Sequence, residues 1–327
     1  MMIEKHNRHG CRESNDFRGK FAAFIAGIPY KHIAGAGKIL GRFWYCLDVR
    51  HRRIVRRNLK FIYPEWTHER IKKISKRIFQ NIWTTFIEIC QVHCLSREDI
   101  LNRAQIEGED NLHNALKEQK GAIMVSGHMG NWEFLPLFCP LTFKTTITFV
   151  AKQISNSTIN RWVHGLRTRF GSRIIYRDGA WPEMTRTLRQ GKMVGIMIDQ
   201  KTRSSIGAKI TFFNKYVTAT PAAALLALRC QSPVLPAFCI RNDVGSFTIK
   251  IYPPIALKKT DDFRSDLRMN TQIIADAIEK VIREYPEQWF WVLKRWKKYY
   301  PYLYSEDMAR RERTRVRKRR KAQSERV

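Results

Sequence analysis

His128 and Glu133 are the two residues whose types and spacing most clearly allow chemistry in this sequence. They lie in the stretch GAIMVSGHMGNWEF, which covers residues 121–134. A carboxylate bonded to one ring nitrogen of a histidine fixes its tautomer and stabilises the imidazolium, so the other nitrogen can take a proton from a hydroxyl. The pair therefore predicts a general base. The alternative reading is a structural histidine with satisfied hydrogen bonds and a surface glutamate.

The element that must position this pair is a short buried strand. Ala122–Val125 is a run of apolar residues bounded by glycine and by Ser-Gly, which is typical of such a strand. Within one helix, a spacing of five would place His128 and Glu133 about 140° apart. We therefore expect His128 in a turn before the helix begins, where Gly127 and Gly130 allow the chain to fold back.

A base without an obvious nucleophile indicates direct transfer to an alcohol, a reaction that needs no covalent enzyme intermediate. Ser126 is a poor candidate nucleophile because it still belongs to the end of the strand.

Alternating helices and strands predict an α/β fold. The residues between Glu65 and Leu95 have apolar positions three and four apart, as in a long amphipathic helix. Strand-like segments follow at Ala122–Val125, Thr146–Val150, Ser172–Tyr176, Met193–Ile198, Val234–Ile240 and Phe247–Tyr252, with helical segments at Trp181–Gln190 and Thr220–Cys230. This order predicts a mixed, largely parallel sheet flanked by helices. Ligands collect beyond the carboxyl ends of such strands, where we expect His128 and Asp199.

The net charge of +31, with an isoelectric point near 10.2, indicates a polyanionic partner. Nucleic acid, an anionic membrane face, a phosphorylated lipid and an acidic carrier protein all meet that description. The 327 residues are 44% hydrophobic, which is enough for a packed core and excludes a disordered protein.

The cysteine content predicts reduced thiols facing the cytosol, because seven is an odd number and the chain is too large to need disulfides. Cys90, His93 and Cys94 raise the alternative of a metal site. No second pair of ligands follows them and Cys90 fits the apolar stripe of its helix, so no metal is expected.

The N-terminal region predicts membrane association. Residues 1–19 are polar and do not resemble a signal peptide. In residues 20–50, Pro29 and several cations interrupt the apolar run, so it falls short of the roughly 20 residues of a bilayer span. We expect an anchor in the membrane interface, with a tilted span as the alternative. Six Arg and Lys residues, from Arg50 to Lys60 inclusive, favour the cytoplasmic face.

Further motifs follow in a fixed order: GLRTRFG at 165–171, GKMVGIMIDQ at 191–200 and KITFFNKYVTATPAAALLALRCQSPVLPAF at 209–238. With them, the chain closely resembles the bacterial lipid A biosynthesis acyltransferases, the late lauroyl and myristoyl transferases of the lysophospholipid acyltransferase superfamily. The family's motifs correspond to His128 with Glu133 (H-x4-D/E), Arg167 with Arg169, Asp199 at a strand end, Phe212-Phe213, and the Trp-rich PEQWFWVLKRWKK. The resemblance covers roughly Phe21 to Tyr300.

The resemblance implies transfer of a fatty acyl chain from an acyl carrier protein thioester to a hydroxyl of a lipid A precursor, without a cofactor. His128 is then the general base and Glu133 its orienting partner. Arg167 holds a phosphate or acceptor oxygen, with Arg169 as a helper. Asp199 orients that arginine or a hydroxyl, or else forms an ion pair that ties two strand ends together.

Other candidate positions are less closely tied to the family pattern. Phe212 and Phe213 either line an acyl-chain slot or belong to the core, and Asn131 is a candidate substrate-binding residue. The family usually has Tyr-Arg-Pro where this chain has Ala151-Lys152-Gln153, and Lys152 keeps a cation without the bidentate fork that suits phosphate. Leu293 replaces a histidine often seen in the Trp-rich element.

A single basic surface can serve all the partners that the resemblance implies: the acidic carrier protein, the phosphorylated acceptor and the anionic cytoplasmic face of the inner membrane. The catalytic domain is expected at residues 51–303 and a disordered basic tail at 304–327. The alternatives are acylation of another glycolipid, such as a phosphatidylinositol mannoside, and a basic nucleic-acid-binding protein. No nucleic-acid recognition motif occurs and the aromatic residues concentrate in the anchor and the Trp-rich element, so no nucleic acid is expected.

Overall fold

The computed structural model describes Phe24 and residues 28–92, 95–177, 179–202, 207–242 and 246–305. The polar segment 1–19 and the basic tail from residue 306 onwards lie outside these residues, as do His93 and Cys94.

A seven-stranded sheet forms the centre of the described part of the chain. The strands are β1 (Ala104–Glu107), β2 (Ala122–Ser126), β3 (Ile147–Ala151), β4 (Arg173–Tyr176), β5 (Met193–Met197), β8 (Val234–Arg241) and β9 (Phe247–Ile251), while β6 (Ala208–Phe212) and β7 (Lys215–Ala219) form a separate antiparallel hairpin. The order across the sheet is β1-β9-β8-β2-β5-β3-β4, and all neighbours are parallel except β8 with β9. The predicted mixed, largely parallel sheet is confirmed.

Helices cover both faces of this sheet. They are α1 (Tyr30–Leu47), α2 (Val49–Ile62), α3 (His68–Val92), α4 (Arg97–Asn102), α5 (Glu109–Lys117), α6 (Leu135–Phe143), α7 (Ser157–Thr168), α8 (Ala180–Arg189), α9 (Ala222–Cys230) and α10 (Phe263–Glu284). Alternate residues of β2 point into two different cores: Ile123 and Val125 pack with α8, α9 and α10, and Ala122 and Met124 pack with α5 and α6. The central strand is therefore buried on both faces, as its continuous apolar run requires.

Two β elements that the sequence analysis did not name, the edge strand β1 and the β6–β7 hairpin, show why some segments carry little signal. The edge strand β1 has only four residues, of which two are exposed, so it lacks an apolar run. The β6–β7 turn consists of Phe213 and Asn214, which have φ angles of +54° and +56°. Such two-residue hairpin turns favour Asn-Gly or Asp-Gly, so phenylalanine in this position carries no turn signal.

Helix α1 packs unusually closely on α3. A Cβ atom at Gly37 would lie 2.5 Å from the Thr84 Cα, and one at Gly41 would lie 2.4 Å from the Gln80 Cα. Two glycines four residues apart thus let the two helix backbones approach each other, as in small-xxx-small helix pairs.

Away from α3, helix α1 carries an exposed apolar stripe. Its large side chains are Ile39, Leu40, Phe43 and Leu47, of which Phe43 and Leu47 are each 58% exposed, and Trp44 lies beside Trp83 of α3 at the edge of this stripe. No helix in the part of the chain that the structure describes is both long and apolar enough to cross a bilayer. An interfacial role for this stripe stays a prediction.

A buried ion pair ties α1, α3 and β8 together. Arg241 donates through Nε and Nη2 to both oxygens of Glu88, at 3.0 and 2.5 Å, and Tyr30 donates to the same carboxylate. Burial opposes the charge on Arg241, but Glu88 outweighs it and raises the pKa of the guanidinium. Asn131 also donates to Glu88, at 2.9 Å, so the network reaches the loop that contains His128.

Replacing Glu88 by glutamine is expected to lower the free energy of unfolding by about 3 to 5 kcal/mol, because the buried guanidinium of Arg241 loses its countercharge. Glu118→Gln is the matched control, since the Glu118–Lys120 pair is exposed and is worth less than about 1 kcal/mol. Urea unfolding followed by tryptophan fluorescence measures both variants. Equal losses in the two variants would contradict a structural role for the buried pair.

Candidate active site

The register of two neighbouring parallel strands brings His128 and Asp199 together. Ser126 of β2 pairs with Met197 of β5, and the histidine and the aspartate each lie two residues beyond that pair. His128 Nδ1 lies 2.8 Å from Asp199 Oδ1, and the His128 backbone N–H donates to Asp199 Oδ2, also at 2.8 Å. The expected position of both residues at the carboxyl edge of the sheet is confirmed.

The loop after β2 has a fixed shape. Gly130 has a φ of +56°, and a Cβ atom there would lie 1.8 Å from the carbonyl oxygen of Cys239. Its N–H donates to the Gln288 carbonyl, and the Phe290 N–H donates to the His128 carbonyl, both at 3.0 Å. Helix α6 begins only at Leu135, so His128 lies in a turn ahead of the helix, as predicted.

The Asp199 carboxylate is buried, with 2% of its side chain exposed, and it also accepts a hydrogen bond from Trp289 Nε1 at 2.8 Å. Burial disfavours its charge, but His128 and the N–H donors outweigh burial and lower the pKa of Asp199. Burial likewise lowers the pKa of His128, and the Asp199 carboxylate more than reverses this, so the net pKa of the imidazole is raised. Each partner therefore favours the charged form of the other.

Glu133 has a different partner from the one expected. Arg167 Nε donates to Glu133 Oε2 at 2.7 Å, Arg167 Nη2 donates to Oε1 at 2.5 Å, and Trp132 Nε1 also donates to Oε1, at 3.1 Å. Asp199 rather than Glu133 is thus the carboxylate bonded to His128, which corrects the pairing inferred from the five-residue spacing. The physical reason is that Asp199 comes from the adjacent strand end, directly beside the imidazole, while Glu133 faces helix α7 and its arginine.

The side chains of His128, Glu133 and Arg167 line a cavity of about 480 Å³, a volume within the usual range for ligand pockets. Its apolar lining residues come from both faces of the sheet and include Phe149, Val150, Ile174, Trp181, Met184 and Ile196. The predicted residue Lys152 also lines the cavity, together with two cations that the sequence did not single out, Arg177 and Lys201; all three are exposed. The cavity thus combines a histidine base, an apolar lining and a cationic rim.

Gln200 is a site residue that the sequence analysis missed. Its Nε2 lies 3.0 Å from His128 Nε2 and 3.3 Å from His128 Nδ1. An atom that close to both ring nitrogens lies over the face of the imidazole and not in line with the Nε2 lone pair. Gln200 therefore does not occupy the in-plane position at His128 Nε2. The only sequence signal was that Gln200 directly follows Asp199 at the end of β5.

Four other candidates lie away from this cavity. Arg169 donates to the Val92 carbonyl at 3.4 Å. Because it lies two residues after Arg167 on a helical backbone, its side chain points to the opposite side from that of Arg167. Asn131 belongs to the buried Glu88 network. Phe212 and Phe213 are each only 2% exposed and pack against Trp289, so the structure favours the core alternative for both.

No cluster of three or more histidine, cysteine, aspartate or glutamate side chains suited to a metal ion occurs within the described ranges.

Comparisons with known proteins agree with the resemblance. The family described as bacterial lipid A biosynthesis acyltransferase matches residues 17–298. A lipid A biosynthesis acyltransferase of Haemophilus influenzae is 21% identical over 280 residues, which are 84% of each chain. A lipid A biosynthesis palmitoleoyltransferase of Escherichia coli is 23% identical over 83% of this chain and 86% of its own. A phosphatidylinositol mannoside acyltransferase of Mycobacterium tuberculosis is 23% identical over 58% of this chain and 59% of its own.

Replacing Asp199 by asparagine is expected to lower the pKa of His128, because burial still disfavours the imidazolium after the carboxylate that stabilised it is gone. Glu133→Gln should lower this pKa less, since Glu133 has no direct hydrogen bond to the ring among those described. Titration of the His128 ring protons by NMR measures both shifts. A larger shift in the Glu133 variant would contradict the pairing seen here.

Proposed function

The chain belongs to the bacterial lipid A biosynthesis acyltransferase family, and on that premise we propose that it moves a fatty acyl chain from an acyl carrier protein thioester to a hydroxyl of a lipid A precursor. The observation that carries the mechanism is the His128 imidazole, which is bonded through Nδ1 to a buried carboxylate and borders an apolar cavity with a cationic rim.

In the proposed reaction, the acceptor hydroxyl lies in the plane of the His128 ring at Nε2. Its oxygen attacks the thioester carbonyl carbon while its proton passes to Nε2. The resulting tetrahedral intermediate collapses by breaking the C–S bond, and the thiolate takes the proton back from the imidazolium. The ester and the free thiol of the carrier leave, and the enzyme returns to its starting state without a covalent intermediate.

The two carboxylates have separate tasks in this proposal. Asp199 keeps Nδ1 protonated and stabilises the imidazolium that forms during attack, as the buried aspartate does in a catalytic triad. Glu133 holds Arg167 through a bidentate pair, which leaves Arg167 Nη1 for a phosphate or an acceptor oxygen. The histidine and the glutamate of the H-x4-E motif thus act on the reaction through different partners.

The two halves of the cavity suit the two substrates. The apolar lining that includes Trp181, Met184 and Ile196 can bury the acyl chain, because its side chains bury apolar surface of the chain. The exposed cations Lys152, Arg177 and Lys201 can bind the phosphates of the acceptor. We therefore place the acyl chain against this lining and not against Phe212 and Phe213.

Membrane attachment at the cytoplasmic face of the inner membrane is the second part of the proposal. The apolar stripe of α1 offers aromatic and aliphatic side chains to the interface, and the arginines of α2 follow it directly. The net charge of +31 favours both an anionic leaflet and an acidic carrier.

Acylation of a phosphatidylinositol mannoside is the second candidate function. The observation in its favour is the 23% identity to the mycobacterial phosphatidylinositol mannoside acyltransferase over 195 residues. That match covers a smaller share of the chain than the matches to the lipid A enzymes, so the lipid A precursor is the preferred acceptor.

His128→Ala is expected to lower acyl transfer about 100-fold to 10,000-fold with little loss of folding, because it removes the base from a partly open site. Glu133→Ala should lose less, since the imidazole keeps its bond to Asp199. Wild-type activity should rise with pH, with a midpoint above the ordinary histidine pKa, because only the neutral ring accepts a proton.

Mass spectrometry of lipid A from cells carrying each variant measures the transfer, and kinetics with purified protein give the rates. His113→Ala is the matched control, because His113 is an exposed histidine paired with Glu109 on α5. Near wild-type turnover in His128→Ala would end this mechanism. Unchanged lipid A in cells lacking the active protein, with altered mannosides, would favour the second candidate.

The double substitution Phe43→Ser with Leu47→Ser is expected to weaken binding to anionic vesicles at least about tenfold, because each of these half-exposed side chains contributes burial worth on the order of 1 kcal/mol or more. Ile159→Ser with Tyr302→Ser is the control, since both residues are exposed but lie on other elements. Vesicle sedimentation measures the binding. Equal losses of vesicle binding in both double variants would contradict the proposal that the α1 stripe is the membrane anchor.

A further inference from the structure

Attack on a thioester carbonyl places a negative charge on its oxygen, and enzymes stabilise that oxyanion with preorganised hydrogen-bond donors. The loop after β2 is the obvious place for backbone donors. Four successive N–H groups of this loop, at residues 128–131, are already used: His128 donates to Asp199, Met129 to Gly127, Gly130 to Gln288 and Asn131 to Cys239. Because these N–H groups are engaged, the next candidates for the oxyanion donor are the side chains that line the cavity.

Two side-chain donors near His128 are also committed. Trp132 Nε1 donates to Glu133, and Arg167 uses Nε and Nη2 on the same carboxylate, while its Nη1 is already assigned to a phosphate or an acceptor oxygen. The amide of Gln200 differs from them, because its Nε2 lies over the face of the His128 ring and has no oxygen acceptor among the described residues. It also lines the cavity, so it faces the substrates.

We propose that Gln200 is a catalytic residue whose side-chain amide donates to the carbonyl oxygen of the acyl thioester. This inference rests on the proposed acyl transfer. The hydroxyl lies in the plane of the imidazole at Nε2, and the Gln200 amide lies over the face of the same ring. If the thioester carbonyl lies on the same side of the ring as Gln200 when the hydroxyl attacks, its carbonyl oxygen points towards the Gln200 amide.

The movement of electrons in this step explains how the amide assists the reaction. As the new C–O bond forms, the carbonyl π pair moves onto the carbonyl oxygen, and the Gln200 N–H shortens its hydrogen bond to the resulting oxyanion. When the C–S bond breaks, the pair returns to the carbonyl and the sulfur leaves as the thiolate. Gln200 therefore binds the transition state more tightly than the ground state, which raises kcat rather than lowering KM.

The decisive variant is Gln200→Met, which keeps the length of the side chain and removes both N–H donors. We expect kcat to fall about 100-fold to 1,000-fold, with KM and the pH midpoint of activity close to wild type. Gln190→Met is the matched control, because Gln190 is an exposed glutamine at the end of α8. Gln200→Ala provides a second variant, and the NMR signal of His128 reports whether each variant retains a folded site.

Slow hydrolysis of a lauroyl thioester of acyl carrier protein, without any acceptor, separates the possible roles. Water replaces the hydroxyl, yet the same oxyanion forms, so loss of an oxyanion donor should slow hydrolysis by the same factor as transfer. A residue that only orients the acceptor would leave hydrolysis unchanged, and one that only tunes His128 would shift the pH midpoint. Either of these results overturns the inference, as does wild-type kcat in folded Gln200→Met.

Wild-type protein serves as the reference for both assays. If wild-type protein releases no carrier thiol in the presence of a lipid A precursor, the proposed acyl transfer fails, and the inference about Gln200 fails with it. If wild-type protein is active and Gln200→Met is equally active, only the inference about Gln200 is overturned.

Discussion

The hydrogen bond between His128 and Asp199 is the interaction on which the rest of the site depends. It exists because β2 and β5 are adjacent and parallel, in a register that leaves the two residues opposite each other just beyond the strand ends. The two residues are far apart in the sequence, and the pairing of β2 with β5 brings them together. Because Asp199 is buried, the two side chains stabilise each other more strongly than they would in water.

Two further sets of contacts hold this pair in place from opposite sides. The Trp-rich segment bonds to the backbone of the loop through Gln288 and Phe290, and to Asp199 through Trp289. Glu88 and Arg241 form a buried pair, and Asn131 of the loop donates a hydrogen bond to Glu88 as Tyr30 does. Such pairs are costly to bury, and their usefulness lies in fixing a geometry rather than in net stability.

The sequence predicted the features that depend on local pattern. The strands that are buried on both faces have continuous apolar runs, and the turn before α6 is marked by Gly127 and Gly130, although the pairing of His128 with Glu133 was wrong. The sequence pattern did not predict contacts that depend on long-range geometry. It could not show which carboxylate lies beside His128, because Asp199 is 71 residues away in the chain. It also could not separate a core role from an acyl-slot role for Phe212, since both environments are apolar.

The close contact between α1 and α3 leaves no room for α1 to rotate about its own axis. Gly37 and Gly41 can face only α3, since any other orientation would bring a side chain against the backbone of that helix. Within the described part of the chain, the apolar stripe that includes Phe43 and Leu47 therefore stays on the surface, because the helix cannot rotate to turn it inwards. Away from a bilayer, the molecule should behave like a surfactant, collecting at air–water boundaries and on detergent micelles.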